Sequence, residues 1–414
     1  MRILILGLNF HPELTGIGKY TGELASYLVQ TGHQVRAVTA PPYYPQWKVL
    51  PGYRRWWYQR EEWHGVHVYR SPLWVPGSLS GSKRLLHLLS FAASSFPVML
   101  GQVSWRPHVV FCIAPTLFSA PSGLLVARLC RAKAWLHIQD FELDAATSLD
   151  LLSREGVLTR LAARLESWLM ARFDRVTSLS KRMLVRLKEK GVHTRKAGLF
   201  PNWVDTNLIH PLTDSHDGLC QMFQLPEDKT IVLYSGNMGQ KQGLELVVEA
   251  ARQLRTSGHI HFVFCGDGVA RSALEGEIAG LNNVQFLPLQ PLERLNQLLN
   301  VADIHILPQR GGAADLVMPS KLLGMMASGK AVLATAAPDT EVGEVVAQVG
   351  VLVPPDSCEP LCASIRSLAD SARMRQQYGK AGRALVCEHW DADRVLSTFQ
   401  EQLIHLVSDD SLDR

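Results

Sequence analysis

The chain has 414 residues, 47 % hydrophobic and 19 % charged, with a formal net charge of +4. That length exceeds one compact core and predicts two domains, while the composition excludes the disordered and fibrous classes. The small net charge gives no reason to expect a nucleic-acid partner, and the seven scattered cysteines form no CxxC pair, which excludes a disulfide framework. The close histidine pairs, His64/His67 and His259/His261, have no third ligand beside them, so neither a metal nor another cofactor is expected.

The N-terminal run MRILILG reads as a first core strand, not a signal peptide. Short apolar strands then alternate with amphipathic helices, which predicts parallel α/β layers. In the first half the strands fall at Ile3–Leu6, Gln34–Thr39, Val109–Ile113, Ala134–Ile138 and Arg175–Ser178. Helices are expected near Lys19–Thr31, Leu85–Gln102, Phe118–Arg131 and Gly156–Phe173. The stretch FPNWVDTNLIHP breaks this rhythm and reads as a linker over 201–211, between domains 1–200 and 212–388. The second half repeats the pattern, with strands at Ile231–Ser235, His261–Cys265, Val284–Phe286, Ile304–Leu307 and Ala331–Ala334. Its helices are expected near Gly243–Thr256, Val269–Ala279, Pro291–Asn300, Ser320–Ser328 and Pro360–Ser371. A last amphipathic helix within 389–414 is expected to pack back on the first domain. The fold class is thus α/β, two Rossmann-like domains with ligands expected in the cleft between them, beyond the strand ends.

Leu85–Val103 is apolar but carries His87, Pro97 and several serines, so it is a poor membrane span. Upstream lies YRRWWYQR, Tyr53 to Arg60, where aromatic and basic residues interleave. That mixture suits a membrane–water boundary, and it suits a core helix with a surface loop equally well.

Four glycine-bearing loops follow predicted strands. HPELTGIGKY places Gly16 and Gly18 before the first helix, where bare backbone can approach a ligand. Too many residues separate them from the strand, and strand two ends without an acid, so a nicotinamide dinucleotide is not indicated. SGNMGQKQG supplies Gly236, Asn237, Gly239 and Lys241; CGDG supplies Gly266, Asp267 and Gly268. The tract PSKLLGMMASGKAVLA, preceded by Arg310, reads as a helix start with Ser320 and Lys321, a Gly329 stop and a buried strand. Free N–H groups, a hydroxyl and a lysine there suit a diphosphate. In WLHIQDFE, Asp140 falls at a strand's carboxyl end and can hold or deprotonate a hydroxyl, whereas His137 reads as a core residue.

Together these motifs resemble the GT-B glycosyltransferases, family four, along the whole chain. The resemblance implies a hexosyl transfer from a nucleotide sugar with retention of configuration. At finer grain the chain resembles the enterobacterial enzymes of colanic acid type exopolysaccharide synthesis. That implies fucosyl transfer from GDP-fucose to a lipid-diphosphate-linked saccharide, by a cytoplasmic protein peripheral on the inner face of the bacterial inner membrane. The family carries two glutamates spaced around the last tract; their positions here are Leu316 and Gly324. Its diphosphate-gripping arginine and lysine correspond to Asn237 and Gln242. Lys321, Lys241 and Arg310 are left to balance the diphosphate, and Asp315 is expected to replace the sugar-contacting carboxylate, with Asp315 or Glu341 holding the ribose. Asp140, Lys321 and Asp315 are the expected catalytic set. A nucleotide-sugar epimerase of the same fold, or a membrane-associated scaffold without activity, are the competing readings.

Overall fold

The computed structural model describes all residues except 14–15, 78–80, 116, 142–155, 214, 240–241, 311–317 and 409–414, and the side chains of 157–158. The chain divides into two units, Met1–Pro201 with Leu396–Arg414, and Asn202–Val395.

The first unit is an eight-stranded sheet in the order β3-β4-β2-β1-β5-β6-β7-β8. Its strands are β1 (Arg2–Gly7), β2 (Gln34–Thr39), β3 (Gln59–Trp63), β4 (Val66–Arg70), β5 (Val109–Ala114), β6 (Lys133–Ile138), β7 (Arg175–Ser178) and β8 (Ala197–Leu199). Every neighbouring pair is parallel except β3 and β4, which form a hairpin. Its helices are α1 (Gly16–Gln30), α2 (Gly81–Gly101), α3 (Ala120–Cys130), α4 (Val157–Met170) and α5 (Lys181–Glu189). β1 and β5 are apolar and buried almost throughout because helices cover both sheet faces.

The second unit is a six-stranded, all-parallel sheet in the order β11-β10-β9-β12-β13-β14. The strands are β9 (Thr230–Ser235), β10 (Ile260–Cys265), β11 (Val284–Leu287), β12 (Ile304–Pro308), β13 (Ala331–Thr335) and β14 (Val351–Val353). Helices α6 (His216–Phe223), α7 (Leu244–Gln253), α8 (Arg271–Glu277), α9 (Leu295–Val301) and α10 (Ser320–Ala327) precede α11 (Glu341–Val349), α12 (Cys358–Asp370), α13 (Ala372–His389) and α14 (Ala392–Ser408). α10 ends at Gly329, whose φ of 70° is open to glycine without strain. α13 lies so close to this turn that a Cβ on Gly379 would overlap the Gly329 carbonyl.

The Phe200–Pro211 stretch is stitched into the second unit from Asn202 onward. Val204 bridges to Asp391, Thr206 Oγ1 donates to the Asp391 carboxylate at 2.5 Å, and the Arg383 guanidinium donates to the carbonyls of Thr206, Ile209 and Ala327. The return to the first unit falls inside α14, between Val395 and Leu396. Beyond that point Phe399 packs on Phe111, Trp135 and Phe200 with ring centroids 4.5–5.3 Å away.

Candidate active site

In the second unit the chain leaves β9 toward β10 and returns past it to β12, so the strand order switches at the carboxyl ends of β9 and β12. Doubly wound sheets hold ligands at that point. The loops after β9 and β10 continue the parallel pairing of their strands. Gly236 N–H donates to the Cys265 carbonyl at 2.9 Å, Met238 N–H to the Asp267 carbonyl at 2.8 Å, and Ala270 N–H to the Met238 carbonyl at 3.0 Å. A Cβ at 266 would overlap the Gly236 carbonyl, and one at 268 the Met238 carbonyl. With φ of 147° and 151°, both positions need glycine for the contact between loops. Asp267 is turned to the same task, its carboxylate accepting from Gly268 N–H at 2.8 Å.

Gly236 has a different neighbour. A Cβ there would meet Lys321 Cδ at 3.6 Å, so the lysine stem lies over this glycine. Lys321 Nζ sits 4.7 Å from the Tyr234 ring centroid and 3.4 Å from its hydroxyl. Tyr234 is fully buried at the end of β9 and donates to the Asn237 carbonyl at 2.5 Å. Burial pushes its phenol above the ordinary range, so it stays a neutral donor. β9, the glycine loop and the start of α10 thereby converge on one partly exposed ammonium. Ser320 lies exposed beside it in the first turn of α10, where backbone N–H groups lack helical partners.

Gln242 Oε1 accepts from Gly239 N–H at 3.1 Å and closes the loop. The residues in the family's two cationic positions, Asn237 and Gln242, therefore shape the loop and bring no charge. Arg310 pairs with Glu245 of α7 at 2.6 Å, both half exposed, and its stem packs against Gly243. Glu341 is buried at the start of α11, which Thr340 caps by accepting from Gly343 N–H at 3.0 Å. At Gly324 a Cβ would meet Leu299 Cδ1 at 3.4 Å, ordinary contact. Lys241, Asp315 and Leu316 lie outside the described residues.

In the first unit Gly16 and Gly18 open α1. Gly16 is exposed with φ of 63°, beside Tyr44. Gly18 is buried, and a Cβ there would meet the Glu13 side chain at 2.6 Å. Glu13 ties its own loop to the loop after β2: it accepts from Tyr43 and Tyr44 N–H at 2.9 and 3.0 Å and from Asn9 Nδ2 at 2.8 Å. Burial raises its carboxyl pKa against these bonds. Buried Arg70 forms a second tie, pairing with Glu61 and donating to the carbonyls of Ala40 and His11. Asp140 stands partly exposed just past β6, at the carboxyl edge of the sheet. His137 is a core residue, its Nδ1 3.1 Å from Thr177 Oγ1 and its pKa pushed by burial down to about 3. Tyr234, Glu13, Arg70 and Glu245 were not among the residues the motifs singled out. Tyr234 had one signal, a polar-tipped aromatic directly before a glycine loop. Among the described residues, no group of three or more His, Cys, Asp or Glu is placed to hold a metal ion.

Each of the two doubly wound units has counterparts in known enzymes. A glycosyl transferase 4-like domain matches residues 15–203, and a glycosyl transferases group 1 domain matches residues 229–371. The chain belongs to the GT-B glycosyltransferases built from these two domains. It is 42 % identical over 407 residues to a protein of Escherichia coli (strain K12) named as a colanic acid biosynthesis glycosyl transferase, WcaI, covering 96 % of this chain and 98 % of that one. It is 28 % identical over 203 residues to the lipopolysaccharide 1,2-N-acetylglucosaminetransferase of Salmonella typhimurium (strain LT2), covering 45 % of this chain and 51 % of that one. Among solved structures, a sucrose-phosphate synthase from Thermosynechococcus elongatus superposes with a TM-score of 0.77 at 16 % identity, covering 99 % of each chain. HepE of Anabaena, in complex with UDP and glucose, superposes with a TM-score of 0.70 at 16 % identity, covering 98 % of this chain and all of that one.

Proposed function

We propose that this glycosyltransferase moves fucose from GDP-fucose to a lipid-diphosphate-linked saccharide, with retention, in colanic acid type exopolysaccharide synthesis at the inner face of the bacterial inner membrane. The observation that carries the donor side is Lys321, set over Gly236 and Tyr234 at the strand-order switch. A nucleoside diphosphate is the leaving group. When its bond to the sugar C1 breaks, negative charge grows on the β-phosphate oxygens. Lys321 and the first N–H groups of α10 are suited to receive that charge, the lack of a side chain at Gly236 leaves room for the phosphates to approach, and in this reading no metal is required. The UDP and glucose held by HepE support a nucleotide-sugar donor, and the likeness to WcaI supports the polysaccharide. We assign the acceptor hydroxyl to Asp140, Arg310 to the outer edge of the donor site, and Asp315 to the sugar.

The test is a panel of nucleotide sugars offered with membranes carrying lipid-linked glucose. Release of GDP that requires both GDP-fucose and acceptor supports the reading. Donor conversion without acceptor would make the protein an epimerase, and no nucleotide release from any donor would make it a scaffold.

A further inference from the structure

From Trp63 through Gln139 the chain contains no Asp or Glu, yet it carries Arg70, Lys83, Arg84, Arg106, Arg128, Arg131 and Lys133. That stretch includes both α2 and α3, which pack on each other; their C-terminal ends meet where Cys130 Sγ approaches the Val103 carbonyl at 3.7 Å. The inner side of α2 is anchored in the unit. His87, Leu88, Phe91, Ser95 and Met99 are buried, and His87 Nδ1 lies 2.7 Å from the Trp74 carbonyl. Its outer side is apolar and open: Leu86, Leu89, Ala93, Phe96 and Leu100 recur at helical spacing and are exposed. On α3 and the turn before it, Phe118, Leu125 and Leu129 do the same. The exposed cations stand at the ends of this face, Lys83 at the start of α2, and Arg106, Arg128 and Arg131 where the two helices finish. Beside the middle of α2 the Tyr58 hydroxyl donates to the Ser94 carbonyl at 3.0 Å, which holds the exposed Trp56 and Trp57 near the same face.

We infer that the outer face of α2 and α3 is a docking surface for an anionic phospholipid bilayer, with the leucines and phenylalanines among the acyl chains and the terminal cations at the lipid phosphates. An apolar face framed by cations, on a stretch that carries no Asp or Glu, has the charge complementarity of such a surface. α2 is long and apolar enough to cross a membrane by length and composition alone, but its buried inner side holds it to the unit, so it lies along the bilayer. The inference rests on the membrane part of the proposed function and gives it a location.

The experiment is co-sedimentation of the full chain with phosphatidylcholine vesicles and with mixed phosphatidylcholine–phosphatidylglycerol vesicles, read without any sugar or nucleotide. A failed transfer assay therefore leaves this result standing, and a failure here leaves the transferase reading standing. The wild type should bind the mixed vesicles more strongly, and less so at high salt. Combined Leu86→Ser, Leu89→Ser and Phe96→Ser should lower the partition coefficient by at least about tenfold with an unchanged melting temperature. If that variant does not fold, Leu125→Ser with Leu129→Ser on α3 should give the same loss. A wild type that sediments with neither vesicle, or a folded variant that binds as well as the wild type, would overturn the inference. So would a wild-type dimer that the variant converts to monomer with vesicle binding unaltered, since the face would then be a contact between copies.

Discussion

Gly266 and Gly324 are both glycines in ligand-side motifs, and the structure gives them opposite consequences. At Gly266 a side chain collides with the Gly236 backbone and forces an unfavourable φ. Gly266→Ala should cost about 3 kcal/mol or more, read as a lower urea midpoint. At Gly324, inside α10, a Cβ finds ordinary contact with Leu299. Gly324→Ala should raise stability by about 0.5–1 kcal/mol in the same assay, because a helical glycine has more backbone freedom to lose on folding. The gap left by the family's glutamate is therefore one of chemistry and leaves no steric obstacle at that position. Arg310 was legible as a cation, but its partner Glu245 was not, since they are far apart in sequence and meet only through the fold.

Among the elements, the strands with long apolar runs were readable from sequence because both their faces are buried. The hairpin of β3 and β4 was not. QREEW is polar or charged at four consecutive positions, VHVYR alternates its valines with His67 and Tyr69, and the YRRWWYQR tract that runs into β3 suited a membrane–water boundary as well as a surface loop. The alternation is that of a sheet edge, with Val66, Val68 and Arg70 turned inward. Arg70 concealed it further, since a buried guanidinium is unexpected until Glu61 and two carbonyls are seen to receive it. α13 was missed because Gly379 and Gly382 lower its helix propensity, and they are there to let it approach the Gly329 turn and Met326. The clamp at Glu13 joins the β1–α1 loop to the loop after β2. Glu13→Ala leaves Tyr43 N–H, Tyr44 N–H and Asn9 without their acceptor and should loosen both loops. Faster amide hydrogen exchange confined to these segments would be the sign, and unchanged protection would show the clamp to be dispensable.

At the scale of the molecule, each unit carries a neutral histidine inside its sheet. His137 in the first and His305 in the second are both pushed by burial down to about 3 from 6.5. Below 6.5 the unfolded chain takes up protons that the folded chain refuses. The stability these groups contribute is therefore present above 6.5 and is lost as the pH falls toward 3, by about 1.4 kcal/mol per pH unit for each. Urea midpoints should fall between about pH 7 and pH 5, and His305→Gln should flatten the slope of the second unit. The repeat of two doubly wound units was legible because strand and helix alternate twice. The way the glycine loops after β9 and β10 lock together was not, because it is made by backbone atoms that no side-chain pattern reports.

Lys321 gives the most direct test of the donor site. GDP release from GDP-fucose, measured with membranes carrying lipid-linked glucose, should fall at least about a hundredfold in Lys321→Ala while the variant keeps the wild-type melting temperature. Full acceptor-dependent release by that folded variant would contradict the assignment of the diphosphate to the start of α10.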